Sequence, residues 1–542
     1  MVRITAIDVK NGENVQKIEC KKINLILGAN NTGKSTLLKE LHKVSVAYLF
    51  DSYIKWLTGV TFQIDNPLEY FESIFDKIDF NQGYELTNSQ INQAGLGSLY
   101  GINYDGNAHS DFHAGLPTNI TYQIANTNIQ KPLHYVSKLL TSLSVAAEFC
   151  DSRISGPYDT QINQIDADID NIVHYLFLNN NIFHKLVEQV FDTFHIELVF
   201  DNLQQGNKNI RLKPSRKPSS KDNATNKSLA SYWKENSPLL HDQGDGLKAF
   251  TKISFSLFNE PKKIIFIDEP EAFLHPPQRR SLGKFIGNNL TDEKQLFIAT
   301  HDSEFLRGLL TSGIDKDLVQ IIYLNGDNYT KSLSVLTLSE LETSAEYSEN
   351  ILNSFFNRKT VLCEAEDDRM IYQYFARKYF PNNSVDIQFI GENGKTEVMK
   401  IYKILKDRKV NVCCILDIDF LYSNDVLNNA IKYTVAEKAQ VIACKHFLET
   451  DLEKTNIARW KINKKKFQQN GLNYFSDTLK KQKILAVIDV LETKGIFIVP
   501  VGSVETLVNL KLHERRMIQK AMNIIDSVKK RNLFNLLNKI CR

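Results

Sequence analysis

Short apolar runs alternate with amphipathic stretches along much of the chain. INLIL (23–27) has the length of a buried strand, a Gly/Asn turn follows, and STLLKELHKV (35–44) carries apolar residues at helical spacing. Residues 46–200 follow no single period: 85–130, rich in Asn, Gly and Ser, is expected to form loops or insertions, and 131–200 to be mainly helical. The polar, basic, Pro-broken segment 206–229 reads as an exposed connection. A second α/β stretch runs from about 236 to 345, and 346–358 bridges to a third. From residue 360 the order is TVLC, amphipathic DDRMIYQYFARKYF, apolar VDIQFI, the turn GENGK, amphipathic TEVMKIYKILKD and apolar NVCCILD. A βαβαβ series of this kind predicts a parallel sheet flanked by helices. No internal repeat is present.

Composition narrows this picture only at its edges. The 542 residues correspond to about three or four domain equivalents, long enough to bury a core without disulfide or metal staples. Hydrophobic residues at 42% and charged residues at 24% exclude a largely disordered or collagen-like chain. Lys plus Arg is 66 against 63 Asp plus Glu, a net charge of +3 that neither demands nor excludes nucleic acid. Seven cysteines without a CxxC pair point to reduced thiols in a cytoplasmic protein. No apolar run approaches the ~18 residues of a membrane span, and the first residues lack a secretory pattern.

Residues 28–35 read GANNTGKS and match GxxxxGK[ST] between a strand and a helix. Gly28 and Gly33 permit a tight loop whose N–H groups converge on phosphate, Lys34 reaches the β- and γ-phosphates, and Ser35 is placed to bind Mg²⁺. The nucleotide-binding candidates here are Asn30, Asn31, Thr32, Gly33, Lys34, Ser35 and Thr36. KKIIFIDEP (262–270) is an apolar strand ending in Asp268, a candidate Mg²⁺ residue, and Glu269, a candidate to polarise the attacking water. QLFIATH (295–301) ends in His301, positioned to sense a γ-phosphate. These residues resemble the head of ATP-binding-cassette and SMC-like ATPases, in which two heads sandwich ATP. The resemblance implies that Gly244 and Gly246, in HDQGDGLKAF before a helix, stand where the partner-facing signature belongs. LHP (274–276) after DEP resembles the SMC-like and DNA-repair branch.

The third stretch carries acids. TVLCEAEDD places Glu364 at a strand end and Asp368 at a helix start, and NVCCILDIDF places Asp417 and Asp419 at the end of a later parallel strand. Carboxyl ends of parallel strands share one edge, where acids repel one another and a hard divalent cation relieves the repulsion. Such clusters hold Mg²⁺ for phosphoryl chemistry. The spacing resembles a TOPRIM domain, with Gly394 and Lys395 in the intervening turn and Ala365 where the family carries Gly. KHFLETDLEK (445–454), with Glu449 and Asp451, and IFIVPVGSVETL (496–507), with Glu505, read as acids after apolar strands. They resemble late motifs of overcoming-lysogenization-defect (OLD) family nucleases, and Glu505 is the better candidate for a second metal.

The order of the two halves is similar to that of OLD-family nucleases, the Gabija nuclease and retron-associated ATPase–TOPRIM effectors. The resemblance implies an α/β chain: an ABC/SMC-like P-loop ATPase head at 1–345, with a mainly helical dimerisation insertion at roughly 85–200, then a Rossmann-like TOPRIM domain at 346–542. It implies ATP and Mg²⁺, with Mn²⁺ as a substitute, and a set of catalytic carboxylates: Glu269 in the head, and Glu364, Asp368, Asp417, Asp419 and Glu505 in the TOPRIM half. Ser35, Asp268 and the five TOPRIM acids would hold metal. It also implies DNA as partner, a homodimer or higher oligomer through the heads, and a role in anti-phage defence beside a reverse transcriptase or a helicase. Basic runs at 458–475 (Lys461, Lys464, Lys465 and Lys466 with Trp460 and Phe467) and 528–542 are open to two readings, phosphate contact or solvated helical face. A second function stays open, an ATP-driven clamp or sensor with an inactive TOPRIM half. Topoisomerases and primases also use TOPRIM, but a topoisomerase needs a Tyr nucleophile on a separate cleavage domain, for which the chain, its middle taken by the ATPase, leaves no room.

Overall fold

The apolar runs become the buried strands of two largely parallel sheets, one in each of two units, Met1–Glu342 and Thr343–Arg542. The structure is a computed structural model. It describes residues 2–46, 55–65, 119–125, 128–129, 145–149, 159–161, 176–177, 179–201, 209–215, 239–258, 262–326, 331–345, 349–507 and 531–541. Among them no helix is long and apolar enough to cross a membrane.

The first unit opens with strands β1 (Val2–Asn11), β2 (Asn14–Glu19) and β3 (Ile23–Gly28), helix α1 (Lys34–Ser45) and β4 (Leu57–Ile64). There follow β5 (Asn119–Ala125), β6 (Asn128–Ile129), β7 (Val145–Glu148), β8 (Asp159–Gln161), α2 (Asn180–Phe194), β9 (Glu197–Asp201) and β10 (Asn209–Ser215). Next come α3 (Asp245–Phe258), β11 (Ile264–Asp268), α4 (Pro276–Asn289), β12 (Gln295–Ala299), α5 (Ser303–Leu310), β13 (Val319–Gly326), β14 (Lys331–Thr337) and α6 (Leu338–Ala345), within which the division falls.

The central sheet runs β14-β13-β3-β12-β11-β7, parallel except for β14. Every residue of β3, β11 and β12 is buried, as strands covered on both faces must be. An antiparallel sheet, β2-β1-β4-β5-β6, shares its core: Ile7 and Val9 of β1 and Phe62 of β4 cluster with Leu37 and Leu41 of α1 and with Phe266 and Phe297. The buried Gln295 amide ties the sheets together. Its Oε1 accepts from the Ile4 N–H at 2.8 Å, and its Nε2 donates to the carbonyls of Ile4 at 2.8 Å and Lys21 at 2.9 Å. It thereby satisfies the backbone where β1 bulges between Ile4 and Ala6.

Two sequence expectations need correction here, and a third needs an addition. The loop-like stretch 85–130 contains β5, paired with β4, and β6. The stretch 131–200, expected to be mainly helical, has α2 as its longest element among the described residues, together with the strands β7 and β8 and the start of β9. VAAE at 145–148 is too short to show a period, and pairing with β11 decides it. The connection expected at 206–229 contains β10, whose Leu212 and Lys213 are buried. Pro214 lies beyond the pairing with β8, which stops at Arg211, so its missing N–H breaks no bond on that side.

The second unit comprises α7 (Glu349–Ser354), β15 (Lys359–Cys363), α8 (Glu366–Tyr379), β16 (Ile387–Gly391), α9 (Lys395–Asp407), β17 (Val412–Asp417), α10 (Val435–Asp451), α11 (Ile457–Asn470), α12 (Thr478–Thr493), β18 (Ile496–Val499), α13 (Val504–Leu507) and α14 (Arg531–Cys541). Its sheet, β16-β15-β17-β18, is parallel throughout. Register places Cys363 opposite Gly391 and Ile415, and Asp417 opposite Val499, so the carboxyl ends form one edge. Residues 445–454 are not a strand followed by acids. They belong to α10 and its end, with Val441, Cys444 and Leu448 buried at helical spacing. The C-terminal basic run, in its described part, is a docking helix: Leu533, Leu537 and Ile540 of α14 enter the core beside Phe375.

Helices α4 and α5 cross closely because each presents a glycine. A Cβ on Gly283 would stand 2.2 Å from the Phe305 carbonyl oxygen, and one on Gly308 2.1 Å from that of Arg280. Alanine favours a helix by about 1 kcal/mol over glycine. Gly308→Ala is nonetheless expected to destabilise the chain by about 1–3 kcal/mol through overpacking. Thermal denaturation checks this; an unchanged or higher Tm would contradict the close crossing.

Candidate functional site

β3 ends at Gly28, and the chain turns into α1 with Asn31 (φ 64) and Gly33 (φ 96) in left-handed conformations. The Trp56 indole packs under Gly33, where a Cβ would stand 2.6 Å from Nε1, so only glycine fits. Asn30 and Asn31 are exposed, while Thr32 and Thr36 are half-buried. The Thr32 hydroxyl donates to the Ala29 carbonyl at 2.9 Å. Lys34 is buried and donates to the same carbonyl at 2.9 Å. Burial lowers the pKa of its ammonium, opposed by the charges of Glu271, Glu269 and Asp268. Ser35, 233 residues away in sequence from Asp268, donates to its Oδ1 at 2.8 Å. The loop and the positive end of α1 thus offer an anion site, with a hydroxyl and a carboxylate paired beside it. These two groups fit a Mg²⁺ ion accompanying nucleotide phosphates.

Asp268 closes β11, and Glu269 follows with φ 50, a left-handed backbone that costs a non-glycine residue conformational energy. Its N–H donates to the Ala299 carbonyl at 2.8 Å, and its carboxylate lies 3.6 Å from His301 Nδ1. A residue that sequence spacing does not single out organises this corner. Glu271 is 3% exposed and accepts from the Thr300 hydroxyl at 2.9 Å and the His301 N–H at 3.0 Å. Its Oε1 also lies 3.1 Å from His301 Nδ1. Burial raises the Glu271 pKa, against the pull of His301 and its hydrogen bonds. The only signal in the sequence is the third acid of DEPE, two positions beyond Glu269. Asp302 adds a second tie: its Oδ1 caps α5 and its Oδ2 accepts from Arg279 at 2.7 Å. Gly244 directly precedes α3, and Gly246 lies in its first turn. Glu271→Gln is expected to loosen His301 and to slow ATP turnover about tenfold or more, with nucleotide affinity retained. Phosphate release and nucleotide titration measure the two effects, and undiminished turnover would remove Glu271 from the site.

In the second unit Glu364 follows β15, Asp417 ends β17, Asp419 lies in the 3₁₀ turn Ile418–Tyr422, and Asp368 is in the first turn of α8. The Asp417 N–H donates to Glu364 Oε1 at 2.9 Å. Asp419 is 6% exposed; its Oδ2 accepts from Lys395 at 2.8 Å, while its Oδ1 is buried and has no hydrogen-bond partner among the described residues. Burial, and then the charge of Asp419, raises the Glu364 pKa to about 7, against the Asp417 N–H and Lys395. Burial also raises the Tyr372 phenol pKa, reinforced by the charges of Asp368, Asp417 and Glu364. Glu505 lies in α13 after β18; its side chain is outside the described set. Glu449 and Asp451 are held on α10 by Lys454 and Lys480. Ala365 has extended backbone (φ −139, ψ 163) open to any residue, so it strains nothing where a glycine was expected.

Among the described residues no three His, Cys, Asp or Glu side chains form a ready cage for an ion. The chemistry of the edge still fits a hard cation. An orphaned buried Asp419 oxygen and a carboxyl raised beside a second acid are both relieved by positive charge, part of which Lys395 supplies. Glu364 must lose its proton to ligate metal. Mn²⁺ affinity is therefore expected to rise as pH increases toward about 7 and then level off, and Glu364→Gln to bind weakly without that dependence. Calorimetry across the neutral range, from mildly acidic to mildly basic buffer, tests this, and a flat wild-type profile would contradict it.

Two family models match parts of the chain. Residues 172–307 match the family described as "AAA domain, putative AbiEii toxin, Type IV TA system". Residues 355–419 match "Overcoming lysogenization defect protein-like, TOPRIM domain". No curated protein matches the chain. Solved structures similar to it include an Smc head bound to the C-terminal winged-helix domain of ScpA, at 12% identity and TM-score 0.38, covering 63% of this chain and 99% of the other. The SMC head domain from Thermotoga maritima aligns at 10% identity and TM-score 0.32, covering 62% and 99%. An Smc head domain with an extended coiled coil, bound to the C-terminal domain of ScpA derived from Pyrococcus furiosus, aligns at 12% identity and TM-score 0.34, covering 64% and 99%.

Proposed function

We propose, from a chain that joins a P-loop ATPase domain to an OLD-like TOPRIM domain, that the protein is an ATP-regulated, divalent-metal-dependent DNA endonuclease. The observation that carries the reading is the meeting of Glu364, Asp417 and Asp419 at the carboxyl edge of a parallel sheet, within the segment that matches the TOPRIM family. In this reading Glu364, Asp368, Asp417 and Asp419, with Glu505, hold divalent metal. A bound divalent cation supplies the water activation and leaving-group neutralisation of phosphodiester hydrolysis. The protein's own part is to hold these carboxylates in register, with the Asp417 N–H fixing Glu364 and Lys395 orienting Asp419.

In the ATPase half, the loop N–H groups and Lys34 bind the phosphates, Ser35 and Asp268 hold Mg²⁺, and Glu269 orients the attacking water. His301, braced by Glu271, reads the γ-phosphate. Paired heads, each facing Gly244 and Gly246 of its partner, would make ATP binding a dimerisation signal that gates the TOPRIM sites. An anti-phage effector beside a reverse transcriptase or a helicase fits this plan. A second reading, a DNA clamp or sensor with a silent TOPRIM half, is favoured by one contact: the Lys395 ammonium already satisfies part of Asp419.

Plasmid cleavage with Mg²⁺ or Mn²⁺, with and without ATP, separates the two. Metal-dependent nicking or linearisation is expected, abolished by Asp417→Ala with nucleotide binding intact, while Lys34→Ala loses nucleotide binding. Intact plasmid in all wild-type lanes, or cleavage by Asp417→Ala at the wild-type rate, would sink the nuclease assignment.

A further inference from the structure

Helix α11 carries Lys461, Lys464, Lys465 and Lys466 within six positions. Among the described residues none of the four is paired with a carboxylate. The neighbouring cations differ: Arg459 binds Glu453, Lys454 binds Glu449 and Lys395 binds Asp419. Lys461, Lys465 and Lys466 are exposed, and Lys464 is half-buried. Like charges at i,i+4, such as Lys461 and Lys465, weaken a helix slightly, so a row kept without counter-charge calls for an anion from outside the unit.

Tyr422 sets where this row lies. It ends the 3₁₀ turn that carries Asp419 and is 7% exposed. Its ring meets Trp460 of α11 edge-on, with centroids 5.4 Å apart. Two ammonium groups address the same ring: Lys464 at 5.4 Å and Lys395, the cation on Asp419, at 5.9 Å. The Tyr422 hydroxyl is buried without a hydrogen-bond partner among the described residues. One aromatic side chain thus joins the acidic edge to the lysine row, and the inner end of that row lies beside the acids. Trp460 is half-buried and its ring is engaged by Tyr422.

We propose that α11 is the DNA-backbone contact of the TOPRIM unit, with Lys464, seated on Tyr422, holding the phosphate nearest the acidic edge. This rests on the nuclease reading for its purpose, and on the lysine row and Tyr422 for its location. Contact through ammonium groups alone binds phosphate irrespective of base sequence.

The test uses the full chain in EDTA with a fluorescent mixed-sequence DNA duplex across a range of salt concentrations. Lys461 and Lys465 are exposed and unpaired, so K461Q/K465Q leaves folding untouched. It is expected to weaken binding about tenfold or more at low salt and to flatten the slope of log K against log salt by about 1.8, at about 0.9 for each phosphate no longer neutralised. K464Q is expected to reduce the slope by about 0.9 and K464R to keep it. Asp417→Ala, with one acid fewer, is expected to bind at least as tightly as wild type. Wild-type affinity and slope in K461Q/K465Q, or no duplex binding by the wild type, overturns the proposal. A wild type that binds with these slopes and yet leaves DNA whole in Mg²⁺ sinks the nuclease reading and upholds the DNA-backbone role of α11.

Discussion

Charge buried at the carboxyl edge of a parallel sheet is the constraint on which both units depend. Parallel strands covered on both faces align their ends, and the residues that follow emerge from an apolar wall. Asp268, Glu271, Lys34 and Asp419 are each no more than 6% exposed. An ionised group in such a place is costly unless an opposite charge or a hydrogen-bond donor meets it. The architecture around both sites is the set of partners that this cost demands.

In the first unit the partners come from distant segments. Ser35 reaches Asp268, and Thr300 and His301 converge on Glu271. These links join the phosphate loop, the β11 turn and the end of β12 into one network, so movement at one corner is felt at the others. The left-handed backbone of Glu269 belongs to the same corner, and the Arg279–Asp302 ion pair ties the start of α4 to the cap of α5. A phosphate-sensing role for His301 needs this rigidity, because an imidazole without Glu271 would be free to turn away.

The second unit compensates its acids only in part. Lys395 and the Asp417 N–H satisfy some of the charge, while one Asp419 oxygen has no hydrogen-bond partner among the described residues and burial beside Asp419 pushes the Glu364 pKa up to about 7. A partial compensation of this kind suits a site that takes up a cation rather than one built purely for stability. The lysine row on α11, without a carboxylate partner among the described residues, makes the opposite arrangement, cations awaiting an anion. Acid and base share Tyr422, so an anionic polymer and a cation would meet at the same place.

Local pattern is enough to reveal the P-loop, the β11 and β12 strand ends and the βαβαβ series, because each couples an apolar run of strand length to a turn with distinctive residues. The α/β class and the identity of most acids at the two edges follow from that coupling alone. Short or polar segments are beyond it: β7 and β8 lack the length to show a period, β10 (NIRLKPS) is polar and carries a proline, and the acids of α10 obscure its helical spacing. Only the tertiary structure decides which side chains meet. Glu271 under His301, Lys395 on Asp419 and Tyr422 between Lys464 and the acidic edge are contacts among segments far apart in the chain or across a turn. Sequence spacing puts a residue at a strand end, but packing and the cost of buried charge select its partner.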